Sequence, residues 1–167
     1  MHWKGAIVTT DAELDRTDRR ILLALDADPR LPVLLLAQQL GLARKTVQNR
    51  LTRLQGAGLL RPHSDRVRPA SLGYSVTALV TAEVEQAHLE AAVAALRAIP
   101  EILHCAATTG DGDLVLRVVA RDSDDLYRVG QKILTRPGIR RTSTSLLMRD
   151  LIPYRTTALL AAADNPH

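Results

Sequence analysis

The second half of the chain repeats itself at an offset of 37 positions, and this most narrows the folds open to it: Leu89, Leu96, Pro100 and Ile102 fall on Leu126, Ile133, Pro137 and Ile139. Before the first copy, Tyr74, Val76, Ala78, Val80, Ala82 and Val84 alternate with Ser75, Thr77, Thr81 and Glu83, the period of two of a half-buried strand, with Leu79 the apolar exception. Leu89, Val93 and Leu96 then recur at helical spacing as far as Pro100, and Ile102 opens a strand through Thr109. A second round runs through a strand Leu114 to Ala120, a helix carrying Leu126, Val129 and Ile133, a break at Pro137 and a strand Ile139 to Met148. Strand, helix, strand, twice over, is the ferredoxin-like βαββαβ arrangement, an antiparallel sheet with both helices on one face. The other face, only partly polar, needs a cover, and a second copy of the domain is the simplest one.

The first half reads as three short helices. Asp15 and Asp18 stand in capping-box register ahead of Ile21, Leu22 and Leu25, which places a helix at about 15–27. After Asp28-Pro29 and Pro32, the residues Val33, Leu36, Ala37 and Leu40 make a second apolar face that stops at Gly41, where a positive φ is available for a tight turn. A third helix runs from about Ala43 to Ala57, burying Val47, Leu51 and Leu54. At 100° per residue Lys45, Asn49 and Thr52 lie opposite that buried face, flanked by Gln48 and Arg53. The exposed side is rich in donors and has no acid to repel phosphate, which after a tight turn fits a helix-turn-helix. An ordinary helical hairpin with a basic outer face has the same pattern.

Charge points the same way. Residues 1–70 hold 12 Lys/Arg against 7 Asp/Glu, while residues 71–167 hold 10 against 11. Residues 41–70 hold seven basic residues and one acid, Asp65, an excess suited to a polyanion, although a solvated arginine-rich surface gives the same count. Beyond Gly58, the stretches 59–62 and 66–69 read as two short strands joined by His63-Ser64-Asp65, a small basic wing whose Arg61, Arg66 and Arg68 touch backbone phosphate and read no sequence.

Several classes are excluded or disfavoured. The chain has no Phe, and Trp3, Tyr74, Tyr127 and Tyr154 are its only aromatics, too few for a base-stacking platform. No apolar run approaches the roughly 18 residues of a membrane span, and no secretory signal is read, so a cytoplasmic protein without membrane contact is expected. Cys105 is the only cysteine and the five histidines lack ligand spacing, so neither a metal nor another cofactor is expected.

The segments LDRTDRRILLALDADPR, LAQQLGLARKTVQNRLTRLQGAGLL, LGYSV, TTGDGDLVLRVVARD and RPGIRRTSTSLLM, in this order, resemble the leucine-responsive regulator/AsnC (feast/famine) family of prokaryotic transcription factors over about residues 14–150. The resemblance implies a helix-turn-helix (winged-helix-like) DNA-binding domain at 14–60 and a basic hinge at 61–73. A ferredoxin-like effector-binding and oligomerisation domain follows at 74–150, with 1–13 and 151–167 as terminal extensions. It implies a sequence-specific regulator binding double-stranded operator DNA as a homodimer, or as a larger assembly such as an octamer, and sensing an amino acid or similar small molecule. Carried onto this sequence, the DNA-binding residues are Arg44, Lys45, Thr46, Gln48, Asn49, Thr52 and Arg53. The effector-binding residues are Gly110, Asp111, Gly112 and Asp113, with Thr142 and Thr144 on the last strand. Read as residues alone, 109–113 serves equally as a tight hairpin turn, or as a loop whose glycines admit a carboxylate and whose acids hold an ammonium group.

The chain departs from the family in two places. Ala43 stands where a serine usually opens the recognition helix, and the second helix carries Leu34-Leu35-Leu36 where one solvent-side polar residue is usual, which calls for an extra apolar contact there. Two other functions stay open: an architectural nucleoid protein with weak sequence preference and a steep salt dependence, and an enzyme like the siroheme decarboxylases, which resemble the same family. The latter needs a cationic, histidine-bearing pocket, and the second half offers only His88 and His104 before the tail. Catalysis is not expected.

Overall fold

A computed structural model describes residues 13–162, which form two compact units: the described residues up to Asp65 together with those from Pro153 onward, and Arg66–Ile152. In the first unit α1 spans Arg16–Ala27, α2 Val33–Leu40 and α3 Arg44–Gly56. The capping box forms as its spacing requires: the Asp18 N–H donates to Asp15 Oδ1 at 2.9 Å and the Asp15 N–H to Asp18 Oδ2 at 3.1 Å. Gly41 ends α2 at φ 66°, donating its N–H to the carbonyls of Ala37 and Gln38. Ile21, Leu36, Ala37 and Val47 pack as one core from all three helices, and Leu54 is equally buried. Leu34 and Leu35 remain 52% and 49% exposed, so the extra apolar contact expected at α2 is not made among the described residues.

The wing is a correction. The expected strands 59–62 and 66–69 do not form; His63–Arg66 and Pro69–Leu72 are single 3-10 turns instead. Pro62 and Pro69 have no N–H for a ladder. The groups beside them are used locally, Asp65 N–H donating to Pro62 O at 3.1 Å and Ser71 N–H to Arg68 O at 2.9 Å.

In the second unit β1 (Val76–Val84) is followed by α4 (Leu89–Arg97), β2 (Ile102–Ala107), β3 (Leu114–Ala120), α5 (Ser123–Leu134) and β4 (Ile139–Leu147). β1 starts later than the alternation suggests because the Tyr74 N–H is already donated to Pro69 O at 3.1 Å. The sheet order is β2-β3-β1-β4 with every pairing antiparallel, the expected ferredoxin-like topology. Ala82 and Val84 of β1, Leu114, Leu116 and Val118 of β3, Ala92 and Leu96 of α4, and Val129 and Ile133 of α5 share one core, so both helices cover the same face. The opposite face carries Thr77, Leu79 and Thr81 beside their register partners Val119, Arg117 and Val115 on β3 and Leu147, Ser145 and Ser143 on β4, and Leu79 is 37% exposed there. A last short helix, α6 (Thr157–Ala162), returns to the first unit and lies against α1.

Candidate functional site

Gly41 turns the chain so that α3 leaves α2 with Val47 and Leu54 buried, which fixes what the rest of α3 presents. Arg44, Lys45, Thr46, Gln48, Asn49 and Thr52 are all exposed, and no acid lies in the helix. The Thr52 hydroxyl donates to the Gln48 carbonyl at 3.0 Å. Ala43 adopts the extended geometry of an N-cap, φ −68° and ψ 138°, but supplies no side-chain bond to the first-turn amides. A basic, uncapped helix start of this kind suits a phosphate group.

Arg53 is exposed as well, but its side chain is engaged within the helical unit. Its guanidinium forms an ion pair with Asp18, and Arg50 pairs with Asp15 and lies 3.3 Å from Asp18. Asp18 is fully buried. The amide of Asp18, followed by the Arg50 guanidinium, holds the Asp15 carboxyl below its usual range, and Asp15 in turn raises the pKa of Arg50. The sequence carried a signal for this cluster: Asp18 shares the face of α1 that buries Ile21, and a buried carboxylate needs cations. Arg61 is also engaged, lying over the Tyr154 ring at 4.4 Å and donating to its hydroxyl at 2.8 Å.

The loop between β2 and β3 divides its residues between two tasks. Asp113 turns inward, accepting from the Val84 N–H at 2.7 Å, while its own N–H donates to Ala82 O at 2.9 Å. Gly112 is buried against β1, where a Cβ would come within 2.3 Å of Thr81 Cγ2. Gly110 and Asp111 are exposed. The close backbone approach at Gly112 is therefore made to the chain's own β1, and Asp111 is the carboxylate left facing outward.

Thr142 and Thr144 are not beside this loop. They line a cleft of about 300 Å³ between α5 and β4 with Ser123, Leu126, Tyr127 and Gln131. The register places Ala82 of β1 between Thr142 and Leu114, so one strand separates the threonines from the loop's end. The cleft is open and brings the hydroxyls of Ser123, Thr142 and Thr144 and the Gln131 amide near Leu126 and Leu134. It was not legible beforehand because its α5 wall shares no motif with the loop. Among the described residues no three His, Cys, Asp or Glu side chains gather as metal ligands do, and no helix is long and apolar enough to cross a membrane.

With this geometry in place, residues 14–55 match the AsnC-type helix-turn-helix domain and residues 77–157 the Lrp/AsnC ligand binding domain. The chain is 32% identical over 143 residues to the HTH-type transcriptional regulator AldR of Mycolicibacterium smegmatis, covering 83% of this chain and 84% of that protein. This chain belongs to the Lrp/AsnC family. Among solved structures, AsnC of Escherichia coli superposes with a TM-score of 0.77 at 29% identity, covering 86% of this chain and 98% of that one. A Neisseria meningitidis transcriptional regulator solved as an L-Met complex superposes at 0.74 with 25% identity, covering 88% and 99%. The Lrp/AsnC resemblance drawn from the motifs is thus correct, as is the order of a helix-turn-helix domain followed by an α+β domain. The relatives are HTH-type transcriptional regulators, and this chain is a transcription regulator of their family.

Proposed function

We propose that the chain acts in the cytoplasm as a sequence-specific, effector-responsive DNA-binding regulator, with residues 14–60 binding the operator, 61–73 connecting and 74–150 sensing and self-associating. The carrying observation is the acid-free exposed face of α3. Lys45, Gln48, Asn49 and Thr52 face base edges in the major groove, and Arg44 and Thr46 sit on the phosphates at its edge. Arg53, paired with Asp18, is left out of this set. The open sheet face around Leu79 accepts a second copy, giving a homodimer with two half-site readers and a basis for larger assemblies. No step of this function needs catalysis.

An amino acid is the proposed effector, supported by the match to the ligand-binding domain and by the L-Met complex of the Neisseria meningitidis regulator. Asp111 faces outward to take the ammonium group, and the hydroxyls of Thr142 and Thr144 in the separate cleft between α5 and β4 offer further donors. A selection of bound genomic fragments at fixed salt, with and without pooled amino acids, tests both parts. Gln48→Ala or Asn49→Ala is expected to cost about 1 to 3 kcal/mol at one base position of the selected site. Uniform weakening on all sequences would remove the major-groove assignment, and loss of sequence preference in the wild type would favour the architectural reading. Asp111→Ala is expected to abolish the amino-acid response with DNA binding intact.

A further inference from the structure

We infer that Asp18 is a positioning residue for the DNA-reading helix, and that Arg53, held by Asp18, and Arg50, shared between Asp15 and Asp18, are not spent on DNA. This rests on the reading of α3 as the helix that faces DNA. Asp18 is the one buried charged residue among those described, with no exposed surface. One carboxylate oxygen already serves the α1 cap, accepting from the Asp15 N–H at 3.1 Å, and also pairs with Arg53; the other lies 3.3 Å from Arg50 Nη1. Arg50 and Arg53 are three residues apart on the flank of α3 turned toward the start of α1, about 100° around the helix from the face of Lys45, Asn49 and Thr52.

The apolar contacts of α3, Val47 and Leu54, hold it to the core but are weakly directional, since burial of apolar surface tolerates rotation about the helix axis. Charged hydrogen bonds do not. Turning α3 by even one residue step carries both guanidiniums off Asp18 and strands a carboxylate in the core, which is strongly unfavourable. The buried carboxylate therefore sets the rotation of α3, and with it which side chains meet base edges. The same pairing excludes both arginines from the phosphate contacts that a count of basic residues assigns to them.

The test is binding of the full-length protein to its selected operator and to random DNA of equal length across a salt series. Each phosphate contact contributes about 0.9 to the slope of log K against log salt. Arg53→Ala and Arg50→Ala are expected to leave that slope unchanged on both DNAs while lowering the operator-to-random ratio several-fold. Asp18→Asn, which releases Arg53 while Asp15 keeps its pair with Arg50, is expected to lower the ratio further and to steepen the slope on random DNA by up to about 0.9. A slope that falls by about 0.9 in Arg53→Ala places Arg53 on a phosphate and overturns the inference, as does a wild-type ratio in folded Asp18→Asn. If Asp18→Asn does not fold, the two arginine variants decide. Arg44→Ala, run alongside, is expected to lower the slope by about 0.9; an unchanged slope there overturns the DNA-facing reading of α3 itself and removes the basis for the inference.

Discussion

Gly110 and Gly112 stand two positions apart in one loop, and the sequence treats them alike, yet their surroundings differ. A Cβ on Gly112 would meet Thr81 Cγ2 at 2.3 Å and Ala82 O at 3.2 Å, a stiff β-branched side chain and a backbone atom, whereas one on Gly110 meets nothing nearer than Thr108 Oγ1 at 3.8 Å. Gly112→Ala is therefore expected to lower stability by about 1 to 3 kcal/mol in denaturant melts, and Gly110→Ala to change it by less than about 0.5 kcal/mol. Equal effects would contradict the packing of this loop. Asp111 and Asp113 part in the same way, because the Val84 N–H that engages Asp113 is 29 residues away and no local pattern announces it. A further residue-scale effect concerns acid. The Lys132 ammonium, 2.9 Å from Glu101, lowers the pKa of that carboxyl. A carboxyl lowered in the folded state adds stability above its unfolded value of about 4.5, and that stability is lost as pH falls below it. Glu101→Gln is expected to cost up to about 1 kcal/mol at pH 7 and almost nothing at pH 3, read as converging urea midpoints.

At the scale of elements, what reads well is what local chemistry decides. The capping box starts α1, Gly41 stops α2, and the repeat marked by Pro100 and Pro137 separates each helix of the second unit from its strand. The wing misread followed from taking the four-residue stretches 59–62 and 66–69 as strands, where Pro62 and Pro69 deny the ladder its donors. The buried face of α3 was legible from Val47 and Leu54, and the place of Asp18 beside Ile21 signalled a need for cations, but not that Arg53, 35 residues later, is one of them. Ala43 gives this scale its prediction. Its backbone already has the extended geometry of an N-cap, and only the side-chain acceptor is missing. Ala43→Ser brings a hydroxyl within reach of the Lys45 and Thr46 amides and is expected to stabilise the first unit by about 1 kcal/mol, seen as a rise in its melting temperature. A fall would mean that the helix start is held by something other than its own cap.

Across the whole chain, residues 66–152 are bracketed in sequence by two segments of one compact unit, since the described residues from Pro153 onward rejoin those before Asp65. Nothing in the motifs indicates this return: Tyr154 lies beyond the segments that carry the family resemblance, and its partner Arg61 precedes it by 93 residues. The joint is small but chemically specific. The Arg61 guanidinium lies 4.4 Å from the Tyr154 ring centre and hydrogen-bonds its hydroxyl, while α6 rests on α1 with Thr157 Oγ1 3.5 Å from Asp26 Oδ2 and Leu160 partly buried. Tyr154 is 72% exposed, so its burial adds little, and the cation–π contact is the principal interaction, worth about 0.5 to 1 kcal/mol at such a site. Tyr154→Ala is expected to lower the melting transition of the helical unit by that amount and to leave the transition of the sheet unit in place, since none of that sheet's pairings involves the tail. Arg61→Ala should have the same effect, and the double variant should be no worse than either single one, the non-additivity that marks a direct pair. Additive losses would mean that Arg61 and Tyr154 act separately and that the tail is held to the helical unit by α6 alone.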